Sequence, residues 1–296
     1  MIIVRNISVI GGDLRIVKLI ELLAKDDYEI YTYGLELAES INELKNVIKI
    51  DNLKEVIDKS EIIIGPVPLS SNKQDVNMLF SDRKITVEEL ISSIGDGKIL
   101  IAGNLYENVY KLIDNKNIKV IDILKREELA VLNAISTAEG TIEIAIKETI
   151  STIHGSKILV MGFGRVGKIL SKMLKGIGAD VYCEARKYSD LAWIKAYGYH
   201  PVYLRDLDQN LGKFDIIINT IPHLILNERR LNLVKKDCLI IDIASNPGGV
   251  DRNAAKNKKI KVIWALSLPG KVAPATSAEY IKETIYNIFN ELENKV

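Results

Sequence analysis

The hexapeptide Gly162-Phe163-Gly164-Arg165-Val166-Gly167 follows directly on the apolar run Lys157–Met161 and opens a helical stretch through Lys175. A G-x-G-x-x-G turn between a strand and a helix is built to cradle a dinucleotide. Gly162 allows the tight turn, Gly164 lets backbone approach a pyrophosphate, and Gly167 lets helix and strand pack closely. The helix start at Arg165 and Val166 adds N–H groups and the positive end of the helix dipole, which favour phosphate.

The next strand end selects the cofactor. An NAD site carries an acid there for the ribose hydroxyls. This chain reads Tyr182-Cys183-Glu184-Ala185-Arg186-Lys187, and loop length puts Ala185 at the acid position. Glu184, one residue earlier on an alternating strand, faces the other side. Arg186, with Lys187 and Ser189 near, then reaches the place of a 2′-phosphate. NADP is expected, with NAD as the alternative. Two further strand ends complete the cofactor site: Thr220-Ile221-Pro222, and Ile243-Ala244-Ser245 ahead of Asn246-Pro247-Gly248-Gly249. Of the three histidines, His223 follows the Pro222 turn and is a candidate to face the cofactor, whereas His154 and His200 read as structural. No cluster has metal-ligand spacing, so no metal is expected. No Gly-x-Ser-x-Gly elbow is present.

These residues need a scaffold, and the hydrophobic pattern supplies one. Apolar runs at Ile7–Ile10, Glu29–Tyr33, Val47–Ile50, Ile62–Gly65, Ile99–Ala102 and Val120–Ile123 alternate with amphipathic stretches such as Leu14–Lys25. The series restarts with Lys157–Met161, Asp180–Cys183, Pro201–Tyr203, Asp215–Asn219, Cys238–Ile243 and Lys261–Trp264. Such alternation predicts parallel sheets covered by helices. The fold class is α/β: two Rossmann-like, doubly wound parallel-sheet domains joined by long helices. The expected division is an N-terminal Rossmann-like substrate domain over 1–130, an NADP-binding domain with its leading linker helix over 131–276, and a C-terminal helix over 277–296 packing back toward the N-terminal domain. Lys125–Ile150 reads as one long helix broken only by Gly140. Ser277–Leu292 is a second, with Ala278, Ile281, Ile285, Ile288 and Phe289 on one stripe. Two helices so placed are expected to bridge the units and set a cleft.

Composition excludes other classes. With 296 residues, 47% hydrophobic, and 40 basic against 39 acidic residues, the chain has neither the charge bias of a nucleic-acid binder nor a disordered composition. No apolar run approaches the ~20 residues that span a bilayer. The start, Met1-Ile2-Ile3-Val4-Arg5-Asn6, does not read as a signal peptide. Two cysteines, Cys183 and Cys238, make no disulfide framework. A cytoplasmic protein is expected, with no nucleic-acid or membrane partner.

Taken in order along the chain, further short motifs resemble one family, the A subunits of dipicolinate synthase. They are Gly11-Gly12-Asp13 with Arg15, Arg126-Glu127-Glu128, Thr137-Ala138-Glu139-Gly140-Thr141, Thr152-Ile153-His154-Gly155-Ser156, the glycine turn, Ala185-Arg186, Asn219–Pro222, Asp242–Gly249 and Leu268–Thr276. The resemblance spans nearly the whole chain. It implies an NADP-dependent oxidoreductase that works with the flavoprotein-like B subunit of dipicolinate synthase to make pyridine-2,6-dicarboxylate, in the mother cell of a sporulating bacterium. A homodimer stays open. Asn246 and Glu184 depart from the family pattern, which favours a basic and a small residue there.

The implied reaction oxidises a dihydropyridine dicarboxylate, or its hydroxylated tetrahydro precursor, to an aromatic ring. It needs cations for two carboxylates, one base, and a hydride acceptor. On this resemblance Arg15 and Lys271 hold carboxylates and Glu139 is the base. Gly12, Asp13, Thr137, Gly270, Pro274 and Thr276 are substrate contacts, the last three in a loop similar to one bordering the nicotinamide of methylenetetrahydrofolate dehydrogenases. Two other readings remain: a two-domain dehydrogenase for hydroxy or amino acids, against which no histidine follows His223, and a cofactor-loaded regulatory protein without chemistry of its own.

Overall fold

The computed structural model describes residues 5–294. Residues 1–4, part of the stretch read above as carrying no leader, and residues 295–296 lie outside the described residues. The chain divides into two compact units. One comprises the described residues of Met1–Leu132 with Ala273–Val296, the other Asn133–Val272.

The first unit runs β1 (Asn6–Ile10), α1 (Leu14–Ala24), β2 (Glu29–Tyr33), β3 (Val47–Lys49), α2 (Leu53–Asp58), β4 (Ile62–Ile64), α3 (Val87–Ser93), β5 (Ile99–Ala102), α4 (Glu107–Leu112) and β6 (Lys119–Asp122). Its central strands are short β-branched runs buried on both faces, as parallel strands require. They pair in the order β3-β2-β1-β4-β5-β6, with Ile7 between Ile30 and Ile62 in register. One face carries Ile7, Val9 and Ile64 against Ile16, Leu19, Ile20 and Leu23 of α1. The other carries Ile63 and Leu100 against α2, α3 and α4.

From β6 the chain enters α5 (Glu127–Glu148), 22 residues long. By length and composition alone α5 could cross a membrane, but Leu129 lies in the core of the first unit and Ala138, Ile142 and Ala145 in that of the second.

The second unit repeats the plan: β7 (Lys157–Met161), α6 (Arg165–Gly176), β8 (Asp180–Ala185), α7 (Tyr188–Ala196), β9 (His200–Tyr203), α8 (Leu207–Asn210), β10 (Ile216–Asn219), α9 (Glu228–Leu231), β11 (Leu239–Asp242), α10 (Arg252–Asn257), β12 (Lys261–Trp264) and α11 (Leu268–Val272). Its order, β12-β11-β10-β7-β8-β9, is the same topology. In both sheets the strand order therefore reverses once, at β1/β4 and β7/β10, and the crevice beyond such a reversal is where ligands bind in this fold.

The chain ends in α12 (Pro274–Glu293), part of the first unit. Its stripe of Ala278, Ile281, Ile285, Ile288 and Phe289 is buried in the core with α1. Arg126 forks onto Glu291 at 2.6 and 2.9 Å, and Lys282 meets Asp26 at 2.5 Å.

Two local expectations are corrected. The strand expected over Asp180–Cys183 continues through Glu184 and Ala185. The segment 268–276, expected as a loop, is helical: α11, then the first turn of α12. Leu268 and Val272 pack on Gly140, where a Cβ would meet them at 3.0–3.3 Å. Pro274 sits at the start of α12, where its fixed φ and missing N–H cost nothing.

Candidate cofactor site and its surroundings

Each glycine of the turn between β7 and α6 meets a separate requirement. Gly162 has φ +91°, and a Cβ there would come within 2.5 Å of Thr220 Oγ1 and 2.9 Å of Ile221 Cγ1. The turn is thus pressed against the end of β10. A Cβ on Gly167 would overlap the Gly162 carbonyl oxygen, so α6 stands as close to the turn as backbone permits. A Cβ on Gly164 would meet nothing within 4 Å. Two glycines serve packing and the third faces open space, the arrangement a pyrophosphate over the first turn of α6 requires. The residues fit a dinucleotide.

The floor of the turn is ionisable. Glu184 is fully buried. Its Oε2 accepts from Gly162 N–H at 3.3 Å, and its Oε1 has no hydrogen-bond partner among the described residues. Burial pushes this carboxyl above its ordinary value, against the smaller opposing pull of the Gly162 N–H and of Arg186 and Arg230. Ala185 packs in the core on the α6 side of the sheet. Arg186, Lys187 and Ser189 are exposed just past the strand.

The loops after β10 and β11 are tied by two strand-final polar residues, Asn219 and Asp242, which pair in register. Both are buried. Asn219 Nδ2 donates to Asp242 Oδ1 at 2.8 Å and to the Ile221 carbonyl at 2.9 Å, while Ile221 N–H donates to Asn219 Oδ1 at 3.2 Å. Asp242 Oδ1 also accepts from Ala244 N–H at 3.2 Å, and Oδ2 from Gly249 N–H at 2.8 Å. Thr220 Oγ1 donates to the Met161 carbonyl at 2.8 Å. Thr220, Ile221, Ile243 and Ala244 are therefore held by one network beside the glycine turn, and Pro222 and Ser245 lie at the loop tips. The sequence motifs contain Asn219 and Asp242 but assign them no task. The signal for one was a polar residue ending each of two adjacent apolar strands.

The turn after β1 looks similar but is filled. Gly12 N–H donates to the Asn77 carbonyl at 2.8 Å, and the Gly12 carbonyl accepts from Leu79 N–H at 3.1 Å. The Met78 side chain sits where a Cβ on Gly11 or Gly34 would lie, 2.5 Å away in each case. The Gly12 N–H expected to serve substrate is thus already engaged. Asp13 caps α1 and pairs with Arg15, Nη2 to Oδ2 at 2.7 Å, and Arg15 Nη2 also donates to the Val67 carbonyl. Arg15 is 7% exposed, neither solvated nor unpaired.

Other expected site residues fall as follows. Glu139 is exposed, lining a groove of about 730 Å³ with Ile142, Glu143, Ile146, Lys147, Met173 and Ile177. Met173 lies roughly 12 Å along α6 from Arg165 at 1.5 Å per residue, so Glu139 flanks the far half of that helix. Thr137 Oγ1 donates back to the Asn133 carbonyl at 2.8 Å. Lys271 is exposed at the end of α11 beside Gly270. Pro274 and Thr276 belong to the first turn of α12. His200 pairs with Asp180 at 2.9 Å and stacks on Tyr182, His154 packs over Gly178, and His223 is exposed after the β10 loop. Burial pushes the Cys183 and Cys238 thiols up to about 12, so neither supplies a thiolate.

Comparison with known proteins adds independent information. Residues 6–124 match the family model for the N-terminal domain of the dipicolinate synthase A subunit, and residues 107–255 match "D-isomer specific 2-hydroxyacid dehydrogenase, NAD binding domain". The dipicolinate synthase A subunit of Bacillus subtilis (strain 168) is 31% identical over 290 residues, covering 97% of each chain. The crystal structure of the same Bacillus subtilis protein aligns with TM-score 0.90 at 30% identity, over 100% of this chain and 99% of that one. That of the dipicolinate synthase A subunit from Bacillus halodurans aligns with TM-score 0.90 at 29% identity, over 97% and 98%.

Proposed function

The chain belongs to the family of dipicolinate synthase A subunits, and from that premise we propose that it oxidises dihydrodipicolinate, or its hydroxylated tetrahydro precursor, to pyridine-2,6-dicarboxylate with NADP. It does so with a flavoprotein-like B subunit, in the mother cell of a sporulating bacterium. The observation that carries the cofactor reading is the glycine turn, with open space above Gly164 and its other glycines locked into packing. NADP is favoured over NAD because Arg186 stands exposed at the strand end and Ala185 packs on the α6 side; Glu184, which meets the Gly162 N–H beneath the turn, is the one feature that counts toward NAD.

A bound nicotinamide would supply the hydride acceptor for a ring carbon of the substrate; the ring would become aromatic on losing that hydride and a proton, with water lost as well from the hydroxylated precursor. The chain's own residues hold the reactants. The first turn of α6 takes the pyrophosphate, with Gly162, Gly164, Arg165, Val166 and Gly167. Ala185 and Arg186 take the adenosine end. The loops at Thr220–Pro222 and 243–245, braced by Asn219 and Asp242, take the nicotinamide ribose. Lys271 and Arg15 are each proposed as a carboxylate contact, with Asp13, Thr137, Gly270, Pro274 and Thr276 as further substrate contacts. Positioning of two rings in register is worth up to ~7–11 kcal/mol in favourable cases.

A coupled assay tests the proposal. Substrate is generated in place by dihydrodipicolinate synthase, and this chain, NADP and a candidate B subunit are added. NADPH absorbance and terbium-sensitised dipicolinate luminescence are expected to rise together only when this chain is present. Product formed at the spontaneous rate, with no NADPH, would overturn the reading.

A further inference from the structure

We infer that Arg205, beyond the end of β9, is a second cation for the cofactor's 2′-phosphate, acting beside Arg186 and held in place by the ring of Tyr203. The inference rests on the NADP reading above. Strands β8 and β9 are parallel neighbours with Ala185 and Tyr203 paired in register. The two segments that follow therefore leave the sheet side by side, about 4.8 Å apart at the strand ends. Arg186, Lys187 and Tyr188 follow β8, and Leu204 and Arg205 follow β9. A ring contact joins the two segments: Tyr188 and Tyr203 lie with centroids 5.3 Å apart and planes tilted by 47°.

The guanidinium of Arg205 lies 4.4 Å from the Tyr203 ring centroid. Stacking of this kind orders a planar cation while leaving its N–H edge available. The neighbouring acid, Asp206, forms an ion pair with Nε at 3.7 Å, longer than a hydrogen bond, and the Arg205 side chain is 67% exposed. Of the other acids near this corner, Glu184 is buried below the strand ends and Asp190 stands in the first turn of α7. Arg205 thus lies over one ring of an aromatic pair, and the exposed Arg186 and Lys187 follow the adjacent strand end. A phosphate dianion suits this set, because each guanidinium can offer it two parallel N–H bonds. A ribose hydroxyl, the corresponding group of NAD, gains far less from it. Tyr203 is a positioning residue: it touches the arginine rather than the phosphate.

Binding of 2′,5′-ADP and 5′-AMP to the full chain isolates the 2′-phosphate from the rest of the cofactor. Calorimetric titration is run on wild type, Arg205→Ala, Arg186→Ala, Tyr203→Phe and Tyr203→Leu, with thermal melting to check folding. The wild type is expected to prefer 2′,5′-ADP. Arg205→Ala should weaken 2′,5′-ADP by about tenfold, the scale of one charge-assisted hydrogen bond, and leave 5′-AMP within about twofold. Tyr203→Leu should reproduce part of that loss and Tyr203→Phe should not. A wild type that prefers 2′,5′-ADP and loses the preference through Arg186→Ala but not Arg205→Ala would overturn the role of Arg205 and leave the NADP reading standing. A wild type with no preference for 2′,5′-ADP would overturn both.

Discussion

The buried Asn219–Asp242 pair makes the sharpest test of how this site is held. Asp242→Asn keeps the size and shape of the side chain and changes one acceptor into a donor. In the wild type Oδ1 accepts from Asn219 Nδ2 and Ala244 N–H, and Oδ2 accepts from Gly249 N–H. If the new amide oxygen keeps the first two partners, its NH2 faces the Gly249 N–H, donor against donor. If it flips, two donors lose their acceptor instead. Either way at least one buried N–H is left unpaired, at about 1–3 kcal/mol. Each kcal/mol moves Tm by about 2–4 °C in chains of 150–250 residues, so a fall of roughly 2–12 °C is expected. The same change loosens the loops at 220–222 and 244–249, so NADPH should bind about tenfold more weakly, equivalent to about 1.4 kcal/mol. Thermal melting and quenching of NADPH fluorescence read the two effects on one sample. Asp242→Ala, which strands three donors, should exceed Asp242→Asn in both. A variant that melts and binds like wild type would refute the reasoning, because it would mean the loops hold their shape without this carboxylate.

Further predictions concern the glycine turn, its floor and Glu139. Gly164→Ala should melt like wild type, since its methyl enters open space, yet weaken NADPH by at least about tenfold by standing where the pyrophosphate must approach; Gly167→Ala should lose stability as well, as calorimetry on both variants would show. Burial raises the Glu184 carboxyl above its ordinary value of 4.5. The stability it allows is full below about pH 4.5 and is lost as pH rises through the raised value. Glu184→Gln lacks that loss, so urea titrations should find it gaining on wild type as pH rises above about 4.5; parallel curves would count against the buried carboxyl. Glu139→Gln should leave turnover within about twofold in the coupled assay, whereas loss of a general base costs about 100-fold or more.

Much of this protein was legible in its residues. Runs such as Ile62–Ile64 and Ile216–Ile218 are apolar without alternation, which only a strand buried on both faces tolerates. The strands of both sheets and the long helices follow from such local periodicity. The stripe from Ala278 to Phe289 announced a helix with one buried face. The glycine turn was legible because its task is local: three glycines within six residues set a turn, an approach and a packing contact. The alternation rule placed Glu184 and Ala185 on opposite faces one residue apart.

What the tertiary structure alone decided are contacts between residues distant in sequence. Nothing near Gly11 announces that Met78 fills the space above it, so the first Rossmann-like turn reads as an open ligand site until the chain returns. Asn219 and Asp242 become one network only when β10 and β11 pair in register. Glu139 shares a motif with Thr137 and Gly140, but helical rotation turns it to the far half of α6 while Gly140 faces α11. Arg205 gains an ordered guanidinium only because it lies over the Tyr203 ring, whose strand pairs with β8. Periodicity is written in neighbours a few residues apart and survives without a fold. Which polar groups end up buried, paired or facing a ligand depends on chain segments that meet only after folding, and that decides the chemistry of the site.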